Sequence, residues 1–347
     1  MYIKKILIVL AILGLVAGAA FAYYVYGAVF NPNTSFEEDS ITITIPSDTA
    51  YPELLELLKP YVKDLNSFDK IAQRKGYASR IKGGRYILKK GSSNNSLVDN
   101  LRSKNTPIFV TFNNQERLEN LAGRVAVQIE ADSSALIKVF KNQEYLKEKG
   151  FNQATALGMY IPNKYQFFWN TTAEEFQERM YKEYKRFWNE KRLQKAKALN
   201  LTAHQAMTIA SIVQKETVKV DERPRVAGVY LNRYKNNWKL DADPTVIYAV
   251  KKHRNDWITP IKRVLYKDLE LNSPYNTYKY KELPPGLIAM PDVSAIDAVL
   301  NPEKHSYFFF VADPSNYGYH LFSKTLAQHN RSRSKYVKWI NKKGIQR

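Results

Sequence analysis

The sequence has no cysteine, and this absence removes several kinds of chemistry at once. Disulfide frameworks, thiol nucleophiles, zinc–thiolate sites and iron–sulfur clusters all depend on that residue. The composition also lacks the marks of a disordered chain, because 44% of the residues are hydrophobic and 25% are charged, both ordinary values for a folded protein. At roughly 100–200 residues per domain, 347 residues predict about two domains.

Acidic residues are scarce, since 33 Asp and Glu stand against 53 Lys and Arg and leave a net charge of +20. Such a balance usually makes nucleic acid the first partner to consider. The N-terminus argues against it, because Ile6–Phe30 is an uncharged run of 25 residues and a bilayer-spanning helix needs about 20. We therefore expect an exported chain that binds no nucleic acid and faces an anionic neighbour, such as lipid headgroups or an acidic wall polymer.

The apolar run predicts how the chain is placed in the cell membrane. Lys4 and Lys5 precede it, so residues 1–5 are predicted to be cytoplasmic, 6–30 a single-pass transmembrane anchor, and the rest extracytoplasmic. The alternative is a cleaved signal peptide, because Ala20–Ala22 fits the small-x-small cleavage pattern. The run continues for eight residues beyond that pattern and ends among tyrosines typical of a membrane interface, which favours a retained anchor.

The remainder predicts an α+β fold in three parts. Residues 31–40 form a polar stalk, and residues 41–112 form a small α+β module in strand–helix–helix–strand order. The module holds no histidine and no clustered carboxylates, so it is not expected to be the catalytic part. Residues 113–347 are predicted to form a larger mixed α+β domain that carries the chemistry on a helix.

One carboxylate in the larger domain is unusually placed. Thr202 and Gln205 form a T-x-x-Q capping box that begins a helix running to about Val220. At about 100° per residue, Glu216 falls in the middle of the apolar face of this helix, where an ionised carboxylate is costly. One interpretation is a carboxyl whose pKa is raised by desolvation, so that it can donate a proton near neutral pH. The other is a buried ion pair with Arg223, Arg225 or Arg233.

Two later segments add to this picture. Asp243 is predicted to be the N-cap of a helix with Pro244 at its first position. The segment Leu271–Pro291 is crowded with Asn, Tyr, Thr and Pro rather than with flexible loop residues. Asparagine amides and tyrosine rings on a stiff loop suit a sugar, which is bound by stacking and by hydrogen bonds to hydroxyls.

At this point a family resemblance is evident, because seven ordered blocks of the second half resemble those of endolytic murein transglycosylases, the membrane-anchored lytic transglycosylase G type. The blocks are IASIVQKET (Ile209–Thr217), VYLNR (Val229–Arg233), DPTVIY (Asp243–Tyr248), NSPYNTY (Asn272–Tyr278), LPPGLIAMP (Leu283–Pro291), Asn301-Pro302 and HLFSKTLAQHN (His320–Asn330).

The resemblance implies cleavage of the β-1,4 bond between N-acetylmuramic acid and N-acetylglucosamine within peptidoglycan strands, with 1,6-anhydro-muramyl ends as product. It also implies a LysM-like character for the module, termination of nascent strand elongation, and association with the peptidoglycan synthesis machinery. The family's catalytic glutamate falls on Glu216. Many relatives have an acidic residue where this chain has Gln214, which leaves Glu216 the only carboxylate of its block.

A single carboxyl is enough for this reaction. Hydrolysing glycosidases usually need two carboxylates, whereas here the muramyl C6 hydroxyl replaces water as the nucleophile. No cofactor and no metal is expected. The residues predicted to bind substrate all lie in the matched blocks: Asn232, Asn272, Tyr275, Asn276 and Ser323.

Two other classes of function remain open on the sequence. One is a peptidoglycan-binding scaffold without activity, although the complete block around Glu216 argues against it. The other is a conventional muramidase-type hydrolase that pairs Glu216 with Asp241 or Asp243. Glycan strands digested by the protein should carry anhydro ends for a transglycosylase and reducing ends for a hydrolase, and should be unchanged for a scaffold.

The first prediction is that the anchor is retained, because the hydrophobic run outlasts the cleavage pattern. Fractionation of tagged full-length protein should place it in the membrane pellet at its uncleaved mass. A soluble product that begins at Phe21 or Tyr23 would contradict this expectation.

Overall fold

The computed structural model describes residues 2–342; Met1 and residues 343–347, which belong to the predicted cytoplasmic segment and the predicted larger domain, lie outside the described residues. The fold is mixed α+β, as predicted. The helices are α1 (Tyr2–Phe30), α2 (Tyr51–Leu58), α3 (Leu65–Arg74), α4 (Asn94–Ser103), α5 (Leu118–Ala126), α6 (Ser133–Phe140), α7 (Gln143–Glu148), α8 (Ala173–Phe187), α9 (Glu190–Ala198), α10 (Ala203–Glu216), α11 (Arg223–Lys235), α12 (Asp243–Arg254), α13 (Tyr266–Leu269), α14 (Val293–Leu300) and α15 (Leu326–Lys342). The strands are β1 (Ser40–Ile45), β2 (Gly84–Lys89), β3 (Ile108–Phe112), β4 (Asn163–Phe167), β5 (Phe309–Ala312) and β6 (His320–Ser323).

The described chain forms two compact units. The first runs to Val110 and also includes Val127–Ala131 and Tyr165–Thr172. The second contains Thr111–Ala126, Asp132–Lys164 and the chain from Ala173 onward. The first unit is therefore larger than the predicted module of residues 41–112, since it takes in segments on both sides of it.

Helix α1 has the length and composition of a membrane-spanning segment. Its 29 residues include none that is buried in the protein, and its most apolar window has a mean hydropathy of 2.6. From Ile6 onward its side chains are uncharged and mostly exposed, which is the pattern that a bilayer accommodates. A signal sequence has the same properties. The length and composition of α1 therefore show that it can cross a membrane, but they do not distinguish an anchor from a signal sequence.

The module in the first unit is built on an antiparallel pair, β1 with β2, in which Ile43 lies opposite Tyr86 and Ile45 opposite Gly84. The period-2 alternation of β1 places Ile43 and Ile45 on the buried side and the threonines outside. Helices α2, α3 and α4 supply the rest of this core, and the predicted strand–helix–helix–strand order is present. Fully buried contributions come from Leu54, Leu58, Phe68, Ala72, Leu97 and Leu101.

Residues 31–40, predicted to be a stalk, are in contact with the module rather than free of it. Pro32 and Thr34 form isolated bridges with Ser93 and Val62. Between them Asn33 is buried, and its amide nitrogen donates to the Asp64 carbonyl at 2.9 Å and to Asn94 Oδ1 at 2.6 Å. Its Oδ1 accepts from the Asp64 amide at 2.8 Å.

The same network reaches α1. Asn94 Nδ2 donates to the Ala28 carbonyl near the end of α1 and to Ser67 Oγ in α3, each at 2.8 Å. Buried amides with complete hydrogen bonding fix a unique arrangement, because leaving any of them unpaired is costly. The end of α1, the following residues and the module are thus joined by one polar network, which we call the Asn33–Asn94 network.

The core of the second unit is helical and centres on α10. From Ala206 to Val213 every residue of α10 is buried, since α14 packs against both α10 and α11. Both hydroxyls in this stretch are paired: Thr208 Oγ1 donates to the His204 carbonyl, and Ser211 Oγ donates to the Thr208 carbonyl and accepts from the Ile288 amide. Strands β5 and β6 form an antiparallel pair that α15 covers. This packing holds the C-terminal end of α10 in a fixed position.

The second prediction concerns the Asn33–Asn94 network. Replacing Asn33 with Ala leaves Asn94 Oδ1 and the Asp64 amide without their partners, and we expect a loss of about 2–3 kcal/mol in the free energy of unfolding of the first unit. Asn66→Ala, at an exposed position of α3, is the matched control and should change that free energy by less than about 0.5 kcal/mol. Urea unfolding of the full chain in detergent measures both, and equal stabilities for the two variants would contradict the role of Asn33.

Candidate active site

The site begins with the two ends of α10. At its start Thr202 and Gln205 exchange the two hydrogen bonds of a capping box, at 2.9 and 3.2 Å, as predicted. At its end the helix stops at Glu216, four residues before the predicted Val220, so that prediction was wrong. Thr217 is extended, with φ −137° and ψ 135°, and its hydroxyl accepts from the Lys219 amide. This local hydrogen bond competes with continuation of the helix.

Glu216 is consequently the last residue of a buried helix, and its side chain is only partly exposed. The Tyr230 hydroxyl, from the neighbouring helix α11, donates to Glu216 Oε1 at 2.5 Å. Tyr230 is itself 1% exposed, and burial keeps the pKa of its hydroxyl well above the usual value, so that it remains a donor. One carboxylate oxygen is therefore held by the protein fold.

None of the three arginines considered from the sequence forms an ion pair with Glu216. Arg223 pairs with Asp292 at 3.2 Å, and Arg225 pairs with Glu303 at 3.0 Å. Arg233 donates to the backbone carbonyls of Phe308 at 2.7 Å and Leu240 at 2.5 Å. The ion-pair interpretation of Glu216 is therefore wrong.

The surroundings raise the pKa of Glu216 to about 7. Burial is the main cause, since desolvation disfavours the ionised form, and the nearby negative charge of Asp243 acts in the same direction. The hydrogen bond from Tyr230 and the positive charge of Arg233 lower the pKa, but their effect is smaller than that of burial. A carboxyl with this pKa can both give and take a proton near neutral pH.

Two further acidic residues belong to this region: Asp243 acts on Glu216, and Asp241 faces Arg233. Asp243 is the first residue of α12 and accepts from the Tyr278 hydroxyl at 2.6 Å. The N-cap position of α12 belongs to Ala242, so the prediction that Asp243 caps this helix was off by one residue. Asp241 lies 3.8 Å from Arg233 and has a left-handed φ of 46°; burial raises the pKa of its carboxyl.

Two of the predicted substrate-binding asparagines are hydrogen-bonded to backbone groups of the protein. Asn232 Nδ2 donates to the carbonyls of His305 and Tyr307, both at 3.0 Å. Asn276 is fully buried; its Nδ2 donates to two loop carbonyls and its Oδ1 accepts from the Tyr278 amide. With these hydrogen bonds in place, the contacts of Asn232 and Asn276 give no support to a direct role in binding a sugar.

The other three predicted residues differ in their access to solvent. Asn272 is exposed, and its Oδ1 accepts from the Tyr280 hydroxyl. Tyr275 is 2% exposed and packs against Tyr248 with ring centroids 4.7 Å apart. Ser323 is buried at the end of β6, opposite Phe309 in the β5–β6 pair. In the described part of the chain none of the five predicted side chains makes a hydrogen bond to Glu216.

Sequence reasoning missed Tyr230 and Tyr278, the two tyrosines that contact the acidic groups of the site. Both lie inside matched blocks, VYLNR and NSPYNTY. The sequence showed a tyrosine in each block, but it did not show that Tyr230 contacts Glu216 and Tyr278 contacts Asp243. We refer to Glu216, Tyr230, Arg233, Asp243 and Tyr278 together as the Glu216 site.

With the geometry in hand, comparison with known proteins gives the family. The sequence profile of the YceG-like family matches residues 43–335, and the chain belongs to that family. An endolytic murein transglycosylase of Bacillus subtilis is 29% identical over 348 residues, covering 95% of this chain and 93% of that protein. Endolytic murein transglycosylase of Streptococcus pneumoniae strain D39 is 26% identical over 371 residues, covering 97% of this chain and 65% of that protein.

A solved structure agrees with the sequence comparisons. The 2.6 Å crystal structure of a yceG-like protein from Listeria monocytogenes superimposes with a TM-score of 0.57 at 26% identity, covering 85% of this chain and 99% of that one. The resemblance to the murein transglycosylases found in the sequence blocks is thus confirmed over nearly the whole chain.

The third prediction is that two substitutions shift the pKa of Glu216 in opposite directions. Asp243→Asn removes a negative charge that raises this pKa, so the value should fall below about 7. Tyr230→Phe removes a hydrogen bond that lowers it, so the value should rise. Carboxyl ¹³C titration in glutamate-labelled protein measures both.

Glu174→Gln, at an exposed position of α8, is the control for this titration and should leave the pKa of Glu216 in place. Shifts of the same sign in Asp243→Asn and Tyr230→Phe would show that the two contacts do not act on Glu216 as described.

Proposed function

We propose that this protein is an endolytic peptidoglycan lytic transglycosylase. It cleaves the β-1,4 bond between N-acetylmuramic acid and N-acetylglucosamine within a glycan strand and leaves a 1,6-anhydro-muramyl end. The observation that carries the proposal is a half-buried glutamate, Glu216, which accepts a hydrogen bond from Tyr230, has a pKa of about 7 and lies inside the first of the sequence blocks. The similarity to the endolytic murein transglycosylases of Bacillus subtilis and Streptococcus pneumoniae supports it.

The reaction proceeds through one residue in two roles. Protonated Glu216 gives its proton to the glycosidic oxygen as the bond from that oxygen to the muramyl C1 breaks, and positive charge develops at C1. The resulting carboxylate then takes the proton of the muramyl C6 hydroxyl while O6 forms a bond to C1. The proton lost in the first step is regained in the second, and no water is consumed.

Tyr230 and Asp243 prepare Glu216 for these roles. Because Tyr230 donates to Oε1, the acidic proton is placed on Oε2, which leaves that oxygen for the substrate. Asp243 favours the protonated form before the first step. The attack of O6 is intramolecular, so positioning supplies much of what a second carboxylate would otherwise provide.

The predicted substrate-binding residues enter the proposal with different roles. We assign a direct contact with glycan to exposed Asn272 and its partner Tyr280. Asn232, Asn276 and Ser323 support the site through the fold, since they bind or pair with backbone. Tyr275 contributes through its ring, which lines a cleft described below.

The remaining parts of the chain follow the same proposal. Helix α1 is a single-pass anchor in the cell membrane, and the catalytic part, from residue 113 onward, lies on the extracytoplasmic side. The module of residues 41–112 is LysM-like and engages glycan. The protein terminates the elongation of nascent strands in association with the peptidoglycan synthesis machinery.

The fourth prediction is that Glu216→Gln abolishes the anhydro product. The amide keeps the shape and can still accept from Tyr230, but it has no proton to give. General acid–base groups contribute roughly 10²–10⁴-fold in rate, and the loss should lie at the upper end because one group serves both steps. Mass spectrometry of digested strands measures the yield, with Glu144→Gln on α7 as an exposed control.

Stability distinguishes catalysis from a structural role. Because the pKa of Glu216 lies above that of an unfolded glutamate, ionisation destabilises the native state as the pH rises from about 4.5 to about 7. Glu216→Gln has no ionisable group at this position, so its free energy of unfolding relative to wild type should increase between about pH 4.5 and pH 7 and stay constant above pH 7. A variant that unfolds more easily at every pH, reducing ends in place of anhydro ends, or near-normal anhydro yield would each overturn the assignment.

A further inference from the structure

A second concave site lies in the same unit as Glu216. It is a cleft of about 400 Å³ between the start of α5, the C-terminal half of α12 and the loop that carries Tyr275. Its walls combine aromatic rings with cations, and we call it the aromatic–cationic cleft. The residues that define it are Arg117, Tyr248, Lys252, Trp257 and Tyr275.

The rings form a continuous apolar wall. Tyr248 is at the centre, 4.7 Å from Tyr275 and 5.3 Å from Trp257 between ring centroids. The Arg117 guanidinium lies 4.7 Å from the centroid of Trp257, and the Lys252 ammonium lies 4.6 Å from that of Tyr275. Each cation is thus held over an aromatic face at the edge of the cleft, where it remains able to donate.

The acidic residues of the cleft pair with other cations and leave Lys252 without a carboxylate partner among the described residues. Glu116 is bound by Lys251 at 3.0 Å, and Glu119 is bound by Lys141 at 2.6 Å. Arg117 approaches Glu119 only at 3.7 Å through Nε, and Lys252 forms no salt bridge within residues 2–342. The surplus charge of the cleft is therefore positive, because Arg117 shares Glu119 with Lys141 and Lys252 has no carboxylate within reach among residues 2–342.

The cleft is connected to the Glu216 site by two elements. Lys215, the neighbour of Glu216 in sequence, lies 3.9 Å from Glu116 in the cleft wall. Helix α12 begins with Asp243 beside Glu216 and carries Tyr248 and Lys252 into the cleft. Nine residues of helix separate Asp243 from Lys252, which is about 14 Å at 1.5 Å per residue. A polymer bound at Glu216 can thus place a side branch in the cleft.

We infer that the aromatic–cationic cleft binds the peptide stem of peptidoglycan through its carboxylates. The inference rests on the proposed function, because that function supplies the polymer whose branch is bound. The stem matches the cleft in two respects: its alanine methyl groups suit the aromatic wall, and its free carboxylates suit Lys252 and Arg117. A neutral sugar ring would use the wall but would leave Lys252 without a carboxylate partner.

Direct binding tests the inference independently of catalysis. Titration calorimetry on the full-length protein in detergent compares a free pentapeptide stem with a stem-free glycan oligomer. We expect the pentapeptide to bind wild type, and its affinity to fall about tenfold in Lys252→Met, which keeps the length of the side chain and removes the charge. Lys252→Arg, which keeps the positive charge, should bind the pentapeptide about as tightly as wild type does. Lys182→Met on α8 removes an equal charge elsewhere and should bind as wild type does.

Cleavage provides the second readout. Strands that carry stems should be cut faster than strands stripped of stems by an amidase, and Lys252→Met should reduce this preference. Equal pentapeptide affinity in Lys252→Met and wild type, or binding of the stem-free oligomer that is equally sensitive to Lys252→Met, would overturn the inference. Absence of anhydro product from both substrates would reject the proposed function, whereas the calorimetric result would still decide whether the cleft binds the stem.

Discussion

The hydrogen bond from Tyr230 to Glu216 is the contact on which the rest of the site depends. It links the end of α10 to the middle of α11, two helices that α14 holds together by packing against both. Burial alone would leave the carboxyl free to rotate toward solvent and regain hydration. Tyr230 fixes one oxygen of Glu216 in place. Desolvation therefore raises the pKa of this carboxyl while the hydrogen bond from Tyr230 lowers it.

The charges around this contact act on the pKa of Glu216 in opposite directions. Arg233 is close enough to lower the pKa of Glu216, yet its guanidinium is occupied by the carbonyls of Phe308 and Leu240. Asp243 raises the same pKa while accepting from Tyr278. A direct ion pair with Arg233 would keep Glu216 ionised and remove its acidic proton, so the engagement of Arg233 with backbone is a condition for acid chemistry.

The sequence predicted those features that depend on neighbouring residues. The capping box of Thr202 and Gln205 and the alternating pattern of β1 are read from a few adjacent positions, and both are present. The end of α10 was predicted four residues too late, because Thr217 turns away through a hydroxyl–amide bond that apolar periodicity does not reveal.

Contacts between distant residues were beyond such reasoning. Asn232 and Asn276 looked like sugar ligands because amide side chains in polar segments are good sugar ligands. The carbonyls that Asn232 binds belong to residues more than 70 positions away along the chain. The carbonyls that Asn276 binds come close to it only because the loop folds back on itself. The Tyr230–Glu216 contact likewise joins two helices across 14 positions. The family blocks identified the residues of the candidate site, but the sequence did not show which of them are hydrogen-bonded to backbone in the fold.

The join between α1 and the module has a geometric consequence. The Asn33–Asn94 network leaves no flexible tether after α1, because the residues that follow the helix are bridged to Ser93 and Val62. If α1 is held in a bilayer, the module lies directly at the lipid surface, since the residues after the helix are hydrogen-bonded to the module and cannot extend away from it. A polymer engaged by the module would then be one that lies next to the membrane.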